Sequence, residues 1–179
     1  MRAEDILYFW FMEAGEKAWW QKSKAFDDLV RRRFLGVYEQ AVAGELADWR
    51  ASPRGRLAEI IVLDQFPRNM FRDTARAFEA DGLALVLSQE AARAGVGGTL
   101  SPEERAFLYM PFMHSESRVV HDMAVKLFSE PGLESNLDFE YRHKAIIDRF
   151  GRYPHRNEAL GRKSTAEELA FLKEPGSSF

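Results

Sequence analysis

The sequence predicts an all-α fold, an antiparallel array of helices forming one domain over residues 1–179. Three observations carry that reading. Apolar residues recur at spacings of three and four, the period of one helix face, and nowhere alternate as a half-buried strand would. Ser or Thr stands before several of these stretches, followed by Pro at the first helical position or by Glu three residues on, and both are helix-start signals. A chain of 179 residues that is 46% hydrophobic can bury one sizeable core, and no shift in composition marks a second.

The elements follow in order. The opening MRAEDILYFWFMEAGEK reads as a first helix: its apolar run, residues 6–12, is too short to span a bilayer, and the acidic Glu4 and Asp5 are foreign to a signal peptide. Residues 23–43 place Phe26, Leu29, Val30, Phe34, Val37, Tyr38, Ala41 and Val42 on one face, with Gly44 as the stop. Ser52 and Pro53 open a helix to about Gln65. Asp73 or Thr74 caps the next, ending near Ala94 before Gly95. Ser101 and Glu104 form a capping box for a short helix that Pro111 interrupts. Helices over residues 115–129 and 137–150, and a last one opened by Ser164 and Thr165, complete the array. Residues 45–51, 67–73, 95–100, 130–136 and 151–163 read as the long non-helical links.

Composition excludes several function classes. The 25 basic and 28 acidic residues give a net charge of -3, so no overall field draws the chain to nucleic acid or an anionic membrane. The absence of cysteine rules out disulfides and thiolate chemistry, and fits a cytoplasmic location. His114 and His121 are too far apart for a compact metal motif, and His121 falls off the apolar stripe of its helix, so neither a metal nor a cofactor is expected. Ser115, His155 and Asp64 make a triad only on paper, because GxSxG is missing. Arg31, Arg32 and Arg33 follow Asp27 and Asp28 by one turn and read as a solvated face. The run from Tyr8 to Phe11 and the pair Trp19 and Trp20 read as packing.

The chemistry concentrates elsewhere. QFPRNMFR at residues 65–72 is echoed by RFGRYPHRNEALGR at residues 149–162, two versions of aromatic, Pro, Arg, Asn, spacer, Arg. Near them, polar residues fall on apolar stripes: Asp64 continues Leu57, Ile60 and Ile61; Glu116 projects from Val119, Val120, Met123, Ala124 and Leu127; His143 lies among Phe139, Ile146, Ile147 and Phe150. An ionised group turned inward is costly unless paired, and Arg68, Arg72, Arg149, Arg152, Arg156 and Arg162 are the available partners. Two readings stay open. Either carboxylates and arginines fasten long loops onto a helical body, or the arginines converge on a pocket for a carboxylate or phosphate, helped by helix N-termini at Thr74 and Thr165.

The phrases ILYFWF, GELADW, LAEIIVLDQFPRNMFR, FLYMPFMHSES and RFGRYPHRNEALGRKSTAEELAFL, in this order over nearly the whole chain, resemble the bacterial family catalogued as domain of unknown function 924. The resemblance implies a compact all-helical fold similar to tetratricopeptide repeats, and no activity. The family's pattern is matched at Asp64, Arg68 and Asn69, at His114, Ser115 and Glu116, and at Arg149, Arg152, Pro154, Arg156 and Asn157. His121 stands where that family usually has Gln. Pro67 and Pro154 are 87 residues apart, far from a 34-residue repeat, so the echo is read as one loop device used twice.

Two functional classes follow from this. The first is a binding module whose concave helical surface takes a peptide, a protein segment or a small anionic ligand, with Arg68 or Arg152 clamping a carboxylate. The second is a small-molecule enzyme with His143 or His155 as acid or base and arginines holding an anionic substrate. Asn69, Asn157, His114 and Glu116 join the arginines in the same candidate centre.

Overall fold

Ser23 accepts a hydrogen bond from the Phe26 N–H and opens helix α3 (Lys24–Val42), whose inner face buries Val30, Phe34, Val37, Tyr38 and Ala41. Before it, α1 (Ala3–Leu7) widens into a π-helical stretch, Tyr8–Ala14, and α2 (Gly15–Trp20) opens on Gly15, which has a positive φ. The chain is described from Met1 to residue 178 by a computed structural model, and all its regular structure there is helical. Helices α4 (Pro53–Asp64), α5 (Phe66–Met70), α6 (Asp81–Arg93), α7 (Pro102–Met113), α8 (Arg118–Phe128), α9 (Glu134–Phe150) and α10 (Ala166–Phe171) follow, with 3-10 turns at Ala47–Ala51, Ala75–Phe78, Val96–Thr99 and Pro154–Arg156.

Helix α4 is the axis. It is apolar nearly all round, and α1, α3, α6 and α7 pack against it. Phe9, Trp10, Phe34, Phe66 and Phe107 close over one end, their ring centroids 4.6 to 6.0 Å apart in mostly tilted or edge-on contacts. Burying each such side chain contributes about 1.5–3 kcal/mol. The packing expected of the N-terminal aromatics therefore holds for Phe9 and Trp10, whereas Tyr8 and Trp20 are exposed. A smaller cluster, Ile146, Ile147, Tyr153 and Phe171, lies beneath the second arginine-rich phrase.

Several expected boundaries move. Pro111 does not interrupt its helix: it stands within the last turn of α7, where the His114 N–H still reaches the Met110 carbonyl at 3.1 Å. Residues 67–73 are not all loop, because Pro67 occupies the first turn of α5, where its missing N–H costs little. Thr74 opens a 3-10 turn instead of the long helix, and its hydroxyl donates back to the Phe71 carbonyl at 2.7 Å. In α8 the buried face is His121, Ala124 and Phe128, while Val119 and Met123 are exposed, so the apolar stripe is rotated from the expected one. Phe139 in α9 is exposed as well. Of the two expected openers of α10, Thr165 is the N-cap, and Glu168 completes a capping box with it.

Candidate functional site

The last residue of α4 is Asp64, and its carboxylate is fully buried. It accepts from the Gln65 amide at 2.6 Å and faces His114 Nδ1 at 2.7 Å, with Arg68 Nη1 3.5 Å from the oxygen that meets His114. Burial alone would push this carboxyl up, but His114 and Arg68 beside it hold it below the ordinary range, so it is ionised. His114 caps the C-terminus of α7. Burial and then the Arg68 charge push its imidazole below the ordinary value against the pull of Asp64, which leaves it neutral at pH 7. A neutral ring whose Nδ1 faces a carboxylate carries its proton there, so Nε2 is an acceptor. Among the described residues Nε2 has no hydrogen-bond partner.

His114 lines a cleft of about 290 Å³ between α6, α7 and the second phrase. Its polar side consists of Asp81, His114, Ser115, Glu116 and Arg156. The opposing wall is Phe78, Leu85, Pro111 and Leu160, with Gly82 on α6 beside Asp81.

Asp81 is where the two phrases meet. Arg68, from the first, grips it with Nη1 and Nη2 at 2.9 and 3.0 Å; Arg156, from the second, adds Nη1 at 3.2 Å. The Arg156 guanidinium lies between the rings of Phe78 and Tyr153, 4.6 and 4.7 Å from their centroids, and donates to the His114 carbonyl at 2.9 Å. Burial and the Arg68 charge lower its pKa from the usual arginine value. Arg162 forks onto Glu116 at 2.7 and 2.9 Å, and the Tyr153 N–H donates to the same carboxylate at 2.7 Å. These contacts outweigh burial and hold Glu116 below its ordinary pKa. Glu116 lies in the link before α8, half-buried, and not on the helix from which its direction was projected.

The second phrase also clamps the segment that carries His114. The Tyr153 hydroxyl donates to the Met113 carbonyl at 2.5 Å, and His121 Nε2 donates to the Ser115 carbonyl at 2.8 Å. His121 is fully buried, with Nδ1 2.6 Å from Glu140 Oε1. Burial pushes Glu140 up. The pair is a fastener beneath the cleft, and the rotation of α8 is what brings His121 inward.

The other expected site residues lie outside the cleft. Arg72 and Asn69 both bind Asp27 of α3 at 2.7 to 2.9 Å. Arg152 forks onto Glu168 at 2.6 and 2.8 Å, Asn157 joins it there, and Arg149 pairs with Glu167, so these three tie α10 down. Arg152 holds the Glu168 carboxyl down to about 2. His143 is buried, donating from Nδ1 to the Phe139 carbonyl at 2.7 Å, and burial pushes it down to about 3. His155 is likewise pushed down to about 3, by burial and then by Arg156.

Asp81, Gln65 and Tyr153 are the residues that sequence reasoning missed. The signal for Asp81 was arithmetic: six loop arginines faced only Asp64 and Glu116, and further carboxylates had to exist. Among the described residues no three His, Asp or Glu side chains gather as metal ligands. No helix there is long and apolar enough to cross a membrane.

The family described as bacterial protein of unknown function (DUF924) matches residues 6–176. The chain belongs to that family. This DUF924 chain is also similar to a solved protein of unknown function from Agrobacterium tumefaciens, at 38% identity over 96% of each chain with a TM-score of 0.90. No curated protein matches it.

Proposed function

We propose that this chain is a small-molecule enzyme in which His114, oriented by Asp64, takes a proton from a hydroxyl or water bound in the cleft. The observation that carries the reading is the 2.7 Å contact between His114 Nδ1 and the buried Asp64 carboxylate, with Nε2 left as an acceptor on a residue that lines the cleft. A carboxylate in that place fixes the tautomer and steadies the imidazolium once the proton has moved. Burial and then the Arg68 charge restrain basicity in the resting state, so the ring waits in its neutral form. General-base action of this kind contributes roughly 10²–10⁴ in rate.

The base is thus assigned to His114 and not to His143 or His155. A small molecule is favoured over a peptide because the cleft, at about 290 Å³, is at the lower end of small-ligand sites. Helix α4 is also contacted by α1, α3, α5, α6 and α7, where a concave repeat would leave one face open.

The test needs no substrate. Nitrogen-15 NMR of the histidine rings at pH 7 is expected to find His114 neutral with its proton on Nδ1, and Asp64→Asn is expected to disturb that tautomer. Diethyl pyrocarbonate, which attacks neutral accessible imidazole, is expected to label His114 ahead of His121 and His143. An imidazolium at His114 at pH 7, or a ring that resists labelling as long as His121 does, would remove the base.

A further inference from the structure

The reading of the cleft as a small-molecule site leaves the ligand's chemistry open, and the inventory of its polar atoms narrows it. Arg68, Arg156 and Arg162 each have protein acceptors, Asp81, the His114 carbonyl and Glu116; Arg156 Nε has none, but it is buried out of contact with solvent. Their charges are matched by Asp64, Asp81 and Glu116, three cations against three carboxylates, so an anion entering the cleft finds no spare positive charge. A cation finds no spare negative charge either, because both cleft carboxylates already hold arginines. Leaving water uncompensated is costly for either.

What stays open is mainly acceptor capacity, with the Ser115 hydroxyl as one neutral group that can donate or accept. The Asp81 and Glu116 side chains line the cleft and are 19% and 26% exposed, while Arg156, the one of these three arginines that lines it, is only 6% exposed. Of about four lone-pair directions on a carboxylate, Asp81 already uses three on Arg68 and Arg156, and Glu116 three on Arg162 and the Tyr153 N–H, so each can serve about one further donor. His114 Nε2 adds a third acceptor. Facing these are the hydrocarbon surfaces of Phe78, Leu85, Pro111 and Leu160.

We infer that the cleft takes an uncharged, hydroxyl-bearing small molecule with one apolar flank, its hydroxyls donating to His114 Nε2, Asp81 and Glu116. The hydroxyl on His114 is the one placed to lose its proton. This inference rests on the proposed function for its choice of cleft, but its test is separate.

The full chain is titrated with matched cyclohexane compounds, the 1,2-diol, the amine and the carboxylate, and with inorganic phosphate, following the melting temperature and the heat of binding. Gly82→Leu serves as a folded control: Gly82 sits on α6 at the cleft, and a Cβ there meets nothing within 4 Å. The diol is expected to give a saturable rise in melting temperature, with the amine, carboxylate and phosphate giving only the shift of sodium chloride at equal ionic strength. Gly82→Leu is expected to weaken the diol tenfold or more while melting no lower than the parent. Saturable binding of the amine, carboxylate or phosphate in place of the diol overturns the ligand class, as does a diol that fails to bind. Undiminished diol binding in Gly82→Leu overturns the location. None of these outcomes alters the His114 tautomer, so the class of ligand and the identity of the base stand or fall separately.

Discussion

Asp64→Ala removes a carboxylate that is 0% exposed and holds His114, Gln65 and Arg68 around it. Breaking a buried ion pair from one side costs about 3–5 kcal/mol when the partner is left bare. Here Arg68 keeps both hydrogen bonds to Asp81, which it shares with Arg156, so its charge loses one of two partners and is not left bare. The loss comes instead from the His114 and Gln65 donors, which lose acceptors at 2.7 and 2.6 Å. Each unsatisfied buried donor costs about 1–3 kcal/mol, and the void adds to that, so a total of about 3–5 kcal/mol is expected from a different source than simple charge loss. With a urea slope of about 2 kcal/mol per molar, the midpoint falls by roughly 1.5–2.5 M. Equilibrium unfolding followed by circular dichroism and by tryptophan fluorescence measures it. Asp64→Asn, which keeps the shape and one acceptor oxygen, is expected to lose about half as much. A midpoint for Asp64→Ala within a few tenths of a molar of the parent would refute the assignment of Asp64 as the buried anchor of His114.

Two glycines with opposite surroundings should respond oppositely. Gly55→Ala would place a Cβ 1.9 Å from the Trp49 carbonyl oxygen and is expected to destabilise by more than about 2 kcal/mol, whereas Gly36→Ala in α3 meets nothing within 4 Å and is expected to stabilise by about 0.5–1 kcal/mol; equal melting temperatures for the two would contradict the packing. Stability should fall as pH drops from about 6.5, because unfolded histidine binds a proton there while His143 in the fold, pushed down to about 3, does not. Each pH unit in that window removes at most about 1.4 kcal/mol per such histidine. Glu140, raised by burial, offsets part of it by binding its proton earlier in the fold, and the depressed Asp64, Glu116 and Glu168 add their own losses only below the carboxylate range. A flat stability between pH 6.5 and 5 would count against a buried neutral His143. Arg152→Lys keeps the charge but loses the fork on Glu168, so hydrogen exchange should quicken in α10 and leave α4 as it was; uniform acceleration would mean that α10 is not fastened locally.

The helices could be read from the chain because their causes are local. Ser23, Ser52, Ser101 and Thr165 cap the helices they precede, and the spacing of Val30, Phe34, Val37 and Ala41 names the buried face of α3 whatever lies opposite. The inward turn of Asp64 followed from the same periodicity. Where local preference was divided, the surroundings decided: Pro111 is tolerated because it falls in a last turn that other bonds still close, and α8 rotates because the Glu140 carboxylate and the Ser115 carbonyl offer His121 partners that an apolar stripe cannot see. The site divides along the same line. The doubled phrase marked the arginines, but an arginine side chain reaches any carboxylate within its length, and sequence separation says nothing of which one. Asp27, Glu167 and Glu168 take Arg72, Arg149 and Arg152 out of the cleft, and Asp81, thirteen residues from Arg68 and seventy-five from Arg156, brings the two phrases together. Only the packing of α6 against α4 and α7 puts that carboxylate beside His114, and with it the three acceptors that give the cleft its character.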